Sequence, residues 1–452
     1  MRFGASTAAI DLPRGRARGR RKLAWALGYA VVVVLPLALV SQTPAAPGRS
    51  VVDELGSSLG IVALSLLGLQ LVLPARLPLV SGGLGADLAV RLHRRLADVT
   101  FAVIAAHVAV VVLAEPARAA FLAFVGTPWP VQAAVVSTAA LGALASSSTW
   151  RGRLRLPYST WRALHLGLAA GALVFATAHT IGVDRYLTRG IAAVWLALLV
   201  LGSLAALVEL RVLRPRRLAR DAYVVQEVVP EPGGATTIKL LAKGHDGKPF
   251  RPGQFAWLRL ADDSTRLAEH PFSYASSALT PARPVFTIKA YDGFSRKIAQ
   301  LPPGADIVLD GPHGSYRPAH DATGFVLIAG GIGITPSLSL LRTAADLTDP
   351  RPYLLLYASR SEEEIVLADE LEGLTARLDL TVVHVLSNPS PAWSGERGRI
   401  SHALFDRHLP DDLRGFEFFV CGSPPVVAAT LEALVSAGVA PEHVHTESFE
   451  HV

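Results

Sequence analysis

Four histidines fall within the first 220 residues, His93, His107, His165 and His179, and they form two pairs with the same spacing of fourteen. Each pair lies inside one long apolar stretch. In a helix, fourteen steps of ~1.5 Å and ~100° give a rise of ~21 Å and return the side chain to within ~40° of the same face. Two parallel helices carrying such pairs set His93 level with His165, and His107 level with His179. Imidazole is an established axial ligand of haem iron, so the pattern predicts two bis-histidine b-type haems stacked across a bilayer. Cys421 is the one cysteine and Met1 the one methionine. Methionine and cysteine ligation, a disulfide framework, an iron–sulfur cluster and a cysteine zinc site are therefore excluded within one chain. A proton relay or a metal-transport site is the other chemistry open to membrane histidines. Metal transport would bring carboxylates, and the apolar cores of these helices hold almost none.

A second group of residues suits a dinucleotide. An apolar run, Phe325–Ala329, leads into Gly330-Gly331-Ile332-Gly333-Ile334-Thr335-Pro336. Glycines let a backbone approach phosphate closely, and proline suits the first turn of a helix. Pro336 stands where the G-x-G-x-x-G fingerprint has its last glycine, so this is a departure from that motif. Upstream, Gly293-Phe294-Ser295-Arg296-Lys297-Ile298 follows a strand and opens a helix. Its free N–H groups and basic side chains suit a pyrophosphate.

The elements that must position these groups divide the 452 residues in two. Apolar residues make up 51% of the chain and charged residues 18%, but almost every long apolar run lies before Arg220. Six stretches, about 23–40, 56–74, 91–114, 131–149, 161–181 and 190–210, approach the roughly 20 residues that span a ~30 Å hydrocarbon core. Basic residues alternate between their ends. Arg14, Arg16, Arg18, Arg20, Arg21 and Lys22 precede the first stretch, and Arg76, Arg91, Arg94 and Arg95 lie between the second and third. Arg151, Arg153, Arg155 and Arg162 mark the start of the fifth, and Arg211, Arg214, Arg216, Arg217 and Arg220 follow the sixth. The intervening loops hold only Arg49, Arg118, Arg185 and Arg189. This alternation places both termini in the cytoplasm and makes the two histidine helices parallel. The net charge of +6 reads as membrane topology, not as a nucleic-acid surface. A cleaved signal peptide is the rival reading of the first stretch, on Arg20-Arg21-Lys22 and Thr43-Pro44-Ala45-Ala46; it would leave five helices and the same remaining topology.

From about 219 the pattern changes to short strands and Gly/Pro turns, Tyr223–Val225, Thr237–Leu240, Phe255–Leu258 and Val285–Ile288, which predicts a small antiparallel barrel. From about 322, the strands Phe325–Ala329, Tyr353–Tyr357, Leu380–Val385 and Phe418–Cys421 alternate with helices, the pattern of a parallel α/β sheet. The expected fold is thus multidomain. Residues 1–22 form a basic cytoplasmic tail, 23–218 a six-helix transmembrane haem bundle, 219–320 an antiparallel β-barrel domain, and 321–452 an α/β parallel-sheet domain.

The tetrapeptide His270-Pro271-Phe272-Ser273, with the parts before and after it, resembles the ferric reductase and NADPH oxidase superfamily, in which a ferric reductase-like transmembrane domain is fused to a ferredoxin-NADP reductase-type module. The resemblance runs from the third helix to the last strand. It implies that 219–320 is the FAD domain and 321–452 the NAD(P) domain. It implies that Phe272 packs on the isoalloxazine of FAD, that Ser273 bonds its reactive edge, that His270 sits near the ribose–pyrophosphate, and that Pro271 belongs to the same cofactor-binding tetrapeptide. It implies that Gly293, Ser295 and Arg296 hold the pyrophosphate, and that Gly311-Pro312-His313-Gly314-Ser315-Tyr316 is the turn that ends the flavin domain. Gly330, Gly331, Gly333, Thr335 and Pro336 match the reductase variant of the dinucleotide turn, with Thr335 as a contact. Cys421 and Gly422, of Cys421-Gly422-Ser423-Pro424, would lie beside the hydride-donating carbon. Phe449, of Glu447-Ser448-Phe449, would shield the flavin. Ser359-Arg360 stands where related reductases bind a 2′-phosphate, which leans to NADPH with NADH open.

The function this implies is an oxidoreductase of the cell membrane. Electrons from cytoplasmic NAD(P)H would cross FAD and two b-type haems, held at His93/His165 and His107/His179, to a small acceptor outside, either oxygen giving superoxide or ferric iron. The lipid bilayer is the expected partner, and the oligomeric state is left open. The alternative is a membrane-tethered flavin reductase whose bundle is structural or proton-conducting.

Overall fold

The structure, a computed structural model, describes residues 15–42, 50–75, 86–261, 269–291, 293–314 and 321–448. The chain divides into two compact units at Arg216/Arg217. Among the described residues of the first unit, six helices are long and apolar enough to cross a membrane. They are α1 (Gly15–Val40), α2 (Val51–Val72), α3 (Ala86–Ala114), α4 (Trp129–Thr149), α5 (Tyr158–Val183) and α6 (Gly190–Val208). The first three and the fifth begin earlier than their apolar cores, because polar residues cap or extend them. Ser50 caps α2 in a reciprocal capping box with Asp53, which satisfies two of the N–H groups a helix start leaves unbonded. Leu113, Ile191, Leu198 and Leu201 face outward, as a bilayer requires. Ile61, Leu64, Leu67, Leu71, Leu173 and Leu196 pack the interior. Glycines set the close approaches: a Cβ at Gly68 would lie 2.7 Å from the Leu199 side chain, so α2 and α6 meet there only because Gly68 has none.

The second unit opens with a six-stranded antiparallel sheet, in the order β4-β3-β6-β1-β2-β5. Its strands are β1 (Tyr223–Glu231), β2 (Ala235–Ala242), β3 (Phe255–Leu260), β4 (His270–Ser273), β5 (Val285–Lys289) and β6 (Asp306–His313). The ends curl toward each other, and Ala275 N–H donates to the Val285 carbonyl at 2.8 Å. Tyr223, Ile238, Leu240, Leu258, Phe286 and Ile307 fill the interior. The expected barrel is therefore a sheet curled into a half-barrel. The Gly-Pro-x-Gly segment is also corrected: Gly311, Pro312 and His313 continue β6 as strand, across a cis Gly311–Pro312 bond. The chain turns only at Gly314, whose φ of +99° suits glycine. Ser315 and Tyr316 lie outside the described residues.

A short helix, α7 (Gly293–Ala299), follows β5. Beyond β6 comes a sheet of parallel strands in the order β10-β9-β8-β7-β11-β12. It comprises β7 (Gly324–Gly330), β8 (Tyr353–Ser359), β9 (Leu380–Leu386), β10 (Glu396–Arg397), β11 (Phe416–Gly422) and β12 (Val444–Ser448). Helix α8 (Ile334–Asp346) follows β7 directly. The chain moves outward from β7 through β8 and β9, then returns to place β11 on the other side of β7. That reversal is a topological switch point, where open α/β sheets bind ligands at the carboxyl ends of their strands.

Candidate functional site

In the membrane unit the two histidine helices bring their pairs together. The rings of His93 and His165 lie 6.3 Å apart between centroids, and those of His107 and His179 lie 6.5 Å apart. An imidazole nitrogen binds a first-row metal at about 2 Å, with its ring centre about 1.2 Å behind, so two coaxial ligands stand about 6.4 Å apart. Both pairs match that separation before any metal is considered.

The pair His107 and His179 is also oriented for ligation. His107 Nδ1 lies 2.7 Å from the Gly56 carbonyl of α2, and His179 Nδ1 lies 2.9 Å from the Pro130 carbonyl of α4. A carbonyl only accepts, so each Nδ1 carries the proton and donates it, leaving the Nε2 lone pair free for a metal. Two glycines permit these bonds. A Cβ at Gly60 would come 2.9 Å from His107 Cε1, and one at Gly182 would come 2.4 Å from the Trp129 ring. At the pair His93 and His165, Ser148 Oγ sits 3.2 Å from His165 Nδ1, and the Gln70 backbone faces the His93 ring without closing a hydrogen bond on Nδ1. If each pair holds one haem, Gly60→Val is expected to push His107 off its carbonyl and lower the haem content from about two per chain toward about one. A pyridine haemochrome assay of the purified variant measures this, and an unchanged ratio would contradict it.

In the soluble unit, register brings the flavin candidates together. Phe255 of β3 aligns with Ser273 on one side and with His313 on the other. Ser273 Oγ is buried with no hydrogen-bond partner, and a hydroxyl held that way loses its hydration unless a ligand restores a bond. Phe272 and Pro271 are half-buried. His270 stacks on Phe294 of α7 at 4.5 Å, which joins the tetrapeptide to the Gly293–Arg296 segment. Ser295 Oγ accepts the Tyr291 N–H at 3.0 Å.

The nicotinamide candidates meet at the switch point. Gly330 ends β7, Gly331–Gly333 form a 3-10 turn, and Ile334 opens α8. A Cβ at Gly333 would lie 2.4 Å from the Cys421 carbonyl, and one at Gly422 would touch Gly330 at 3.4 Å. The two motifs therefore close on each other through bare backbone. Gly331, at φ +53°, has open space where a side chain would stand. Thr335 is buried and its hydroxyl donates to the Ile332 carbonyl at 3.1 Å, so that hydroxyl is committed to the turn. Pro336 is buried in the first turn of α8.

Cys421 is fully buried, and burial, with the Glu447 carboxylate nearby, pushes its thiol up. It is protonated at neutral pH, so alkylation of the native protein by iodoacetamide is expected to be about a hundredfold slower than after unfolding, since the thiolate is the nucleophile. Mass spectrometry of timed samples checks this. Phe449 lies outside the described residues. Ser359 ends β8 nearly buried and Arg360 is exposed. The three acids that follow are engaged. Glu362 accepts from Ser390 N–H and Oγ at 3.1 and 2.6 Å, Glu363 accepts from Ser361, and Glu364 pairs with Lys289 at 3.2 Å.

Side chains outside every motif fix the two soluble sites to each other. The loop after β4 docks on α8: Ser339 Oγ donates to the Ser276 carbonyl at 2.8 Å, and Ala278 N–H donates to Thr343 Oγ1 at 2.9 Å. Arg342 donates to the Ala275 carbonyl at 2.6 Å and to both oxygens of Glu370, on the helix Ala368–Thr375, at 2.5 and 2.6 Å. Hydrogen bonds to charged groups stabilise by about 1.5–3 kcal/mol. Arg342→Met should keep FAD yet slow flavin reduction by NADPH about tenfold to a hundredfold, as misplacement by an ångström does. Stopped-flow flavin bleaching is the measurement, and a wild-type rate would show that Arg342 does not set the alignment.

Residues 59–176 match the family described as ferric reductase like transmembrane component, and residues 327–432 match the oxidoreductase NAD-binding domain. The chain is 31% identical over 204 residues to the ferredoxin–NAD(P)(+) reductase component of naphthalene 1,2-dioxygenase/salicylate 5-hydroxylase systems of Ralstonia sp, which covers 44% of this chain and 60% of that protein. It is 31% identical over 241 residues to the ferredoxin reductase component of 3-ketosteroid-9-alpha-monooxygenase of Mycolicibacterium smegmatis, covering 50% and 64%. The chain thus spans less than two thirds of the length of these relatives. Among solved structures, the flavohem-like FAD/NAD-binding domain of nitric oxide dioxygenase from Vibrio cholerae superposes with a TM-score of 0.46 at 20% identity, over 51% of this chain and 98% of that one. Flavohemoglobin from Malassezia yamatoensis gives 0.49 at 18% identity, over 89% and 99%.

Proposed function

Since this chain is an integral membrane oxidoreductase in which a ferric reductase-like transmembrane component precedes an oxidoreductase NAD-binding domain, we propose that it carries electrons from cytoplasmic NADPH across the membrane to an acceptor outside. The observation that supports this most is the paired histidine geometry. Ring separations of 6.3 and 6.5 Å on two helices, with the outer Nδ1 atoms tied to carbonyls and Nε2 left for a metal, support the ligation of two haems.

His93 and His165 would hold the inner haem, and His107 and His179 the outer. Phe272, Ser273, His270 and the Gly293–Arg296 segment would hold FAD. The turn from Gly330 to Pro336, with Gly422 and Cys421 behind it, would seat the nicotinamide dinucleotide. When bound, flavin accepts a hydride and releases electrons singly, and haem passes one electron at a time. The protein's part is positioning. Gly333 and Gly422 let the glycine turn and the end of β11 close on each other, Gly331 leaves open space beside the turn for the dinucleotide, Ser273 supplies a hydroxyl at the flavin edge, and Arg342 holds α8 against the flavin domain. Arg360, with Glu362, Glu363 and Glu364 already engaged, favours a 2′-phosphate and hence NADPH over NADH. Outward transfer of each electron is electrogenic, worth ~2.3 kcal/mol per 100 mV. The acceptor is small, oxygen yielding superoxide or a ferric chelate, since the connections on the outer side are short.

The test is an absorption spectrum of the detergent-purified protein before and after anaerobic NADPH. Reduced b-type bands at about two haems per chain are expected. A flavin-only spectrum, from cells supplied with ample haem, would leave only a membrane-tethered flavin reductase.

A further inference from the structure

Helix α2 carries a stripe that mirrors the histidine spacing. Gly56 and Gln70 are fourteen residues apart, and such a step rises ~21 Å and returns to within ~40° of one face. Gly56 serves the outer pair, through its carbonyl on His107. Gln70 serves the inner pair, where its backbone faces His93. The two ends differ in what they leave unsatisfied. Gln70 is 9% exposed, and neither its amide nitrogen nor its amide oxygen has a hydrogen-bond partner. Trp161 adds a second case from α5: its ring lies 5.2 Å from that of His165, and its Nε1 is buried without a partner. At the outer pair, both Nδ1 atoms are bonded to carbonyls. A buried N–H without an acceptor destabilises the fold unless something absent from the chain accepts from it. Both donors belong to residues at one histidine pair: the Trp161 ring lies beside His165, and the Gln70 backbone faces His93.

We propose that Gln70 Nε2–H and Trp161 Nε1–H are binding donors for the carboxylates at the edge of the inner prosthetic group, and that they set its potential apart from that of the outer one. This rests on the haem reading above. Carboxylates are the acceptors a b-type haem offers at its rim, and these N–H groups would donate to them beside the cations Arg94 and Arg211, which act on the same pair. An N–H dipole pointing its positive end at the rim favours the reduced state. Its removal therefore makes the inner site harder to reduce, and the outer site is left alone.

The experiment is an anaerobic redox titration of the purified full-length protein, followed in the b-type absorption bands. The wave lost in His93→Leu identifies the inner site. In Gln70→Met and Trp161→Phe the inner wave is expected to move negative by about tenfold in its equilibrium constant, which is ~59 mV for one electron, with the outer wave fixed and two haems retained. A residue that only packs would lower haem content or stability and leave both midpoints in place, and that result overturns the proposal. If Gln70→Met loses the inner haem, Gln70→Glu keeps the volume and sets a carboxylate against the rim. The same negative shift, larger in size, supports the proposal, and an unmoved inner wave sinks it. Wild-type protein without haem bands would instead remove the reading on which the proposal rests.

Discussion

Replacing His93 with leucine is expected to abolish the inner haem and, with it, all transfer from NADPH to an acceptor outside, while NADPH still reduces the flavin. The argument is one of geometry. His93 has one partner ring, His165, at 6.3 Å, and leucine offers the metal nothing. The remaining imidazole cannot form a six-coordinate bis-histidine centre, so the low-spin absorption bands of that site vanish. His165→Leu should reproduce the effect, and His107→Leu or His179→Leu should do the same at the outer pair. Flavin reduction should persist in all four, because NADPH and flavin are bound in the other unit. The readouts are haem stoichiometry, transfer to a trapped acceptor, and stopped-flow flavin bleaching. A variant that kept about two haems per chain would show that the histidines are not the ligands.

The second large effect is expected at Gly333. A Cβ there would lie 2.4 Å from the Cys421 carbonyl oxygen, 2.7 Å from its carbon and 2.9 Å from Gly422 Cα. These are backbone atoms of β11, which cannot swing aside as a flexible side chain would. Gly333→Val must therefore push the glycine turn away from the strand end that would seat the nicotinamide. Misplacement by about an ångström costs on the order of a hundredfold in rate, and kcat/KM for NADPH is expected to fall by at least about that factor. FAD content and the dithionite-reduced haem spectrum should be unchanged. Near-normal NADPH kinetics in a folded Gly333→Val protein would place the nicotinamide elsewhere.

How much of this was legible beforehand depends on which atoms carry the work. Side chains repeating on a helical period announce themselves, so the pairing of His93 with His165 and of His107 with His179 followed from their spacing together with the charge alternation that makes the two helices parallel. The parallel sheet was equally readable, because Phe325–Ala329, Tyr353–Tyr357 and Phe418–Cys421 are continuous apolar runs separated by helix-length segments. Backbone partners were not. Nothing in residue type distinguishes the Gly56 and Pro130 carbonyls from any others. Gly60 and Gly182 matter only through what stands opposite them. Strand β6 was missed because Gly311-Pro312 reads as a turn, although a cis bond carries it on as strand. The four-residue β4 was folded into a motif, and β10 and β12 are too short or too polar to show a pattern. Arg342 sits on an amphipathic helix where a charge is ordinary, and only the loop after β4 makes it an anchor. Gln70 was a missed residue with an available signal, since it stands fourteen residues from Gly56 in the largely apolar second half of α2.

The most direct test of the whole account is transfer across a sealed membrane. The protein would be reconstituted into vesicles with a membrane-impermeant ferric complex trapped inside, and NADPH added outside. Molecules whose reductase domains face outward should reduce the trapped iron, at a rate that vanishes in His93→Leu and rises when a permeant ion collapses the opposing potential. Flavin reduction with the trapped iron left oxidised, in protein carrying its full complement of haem, would contradict the account.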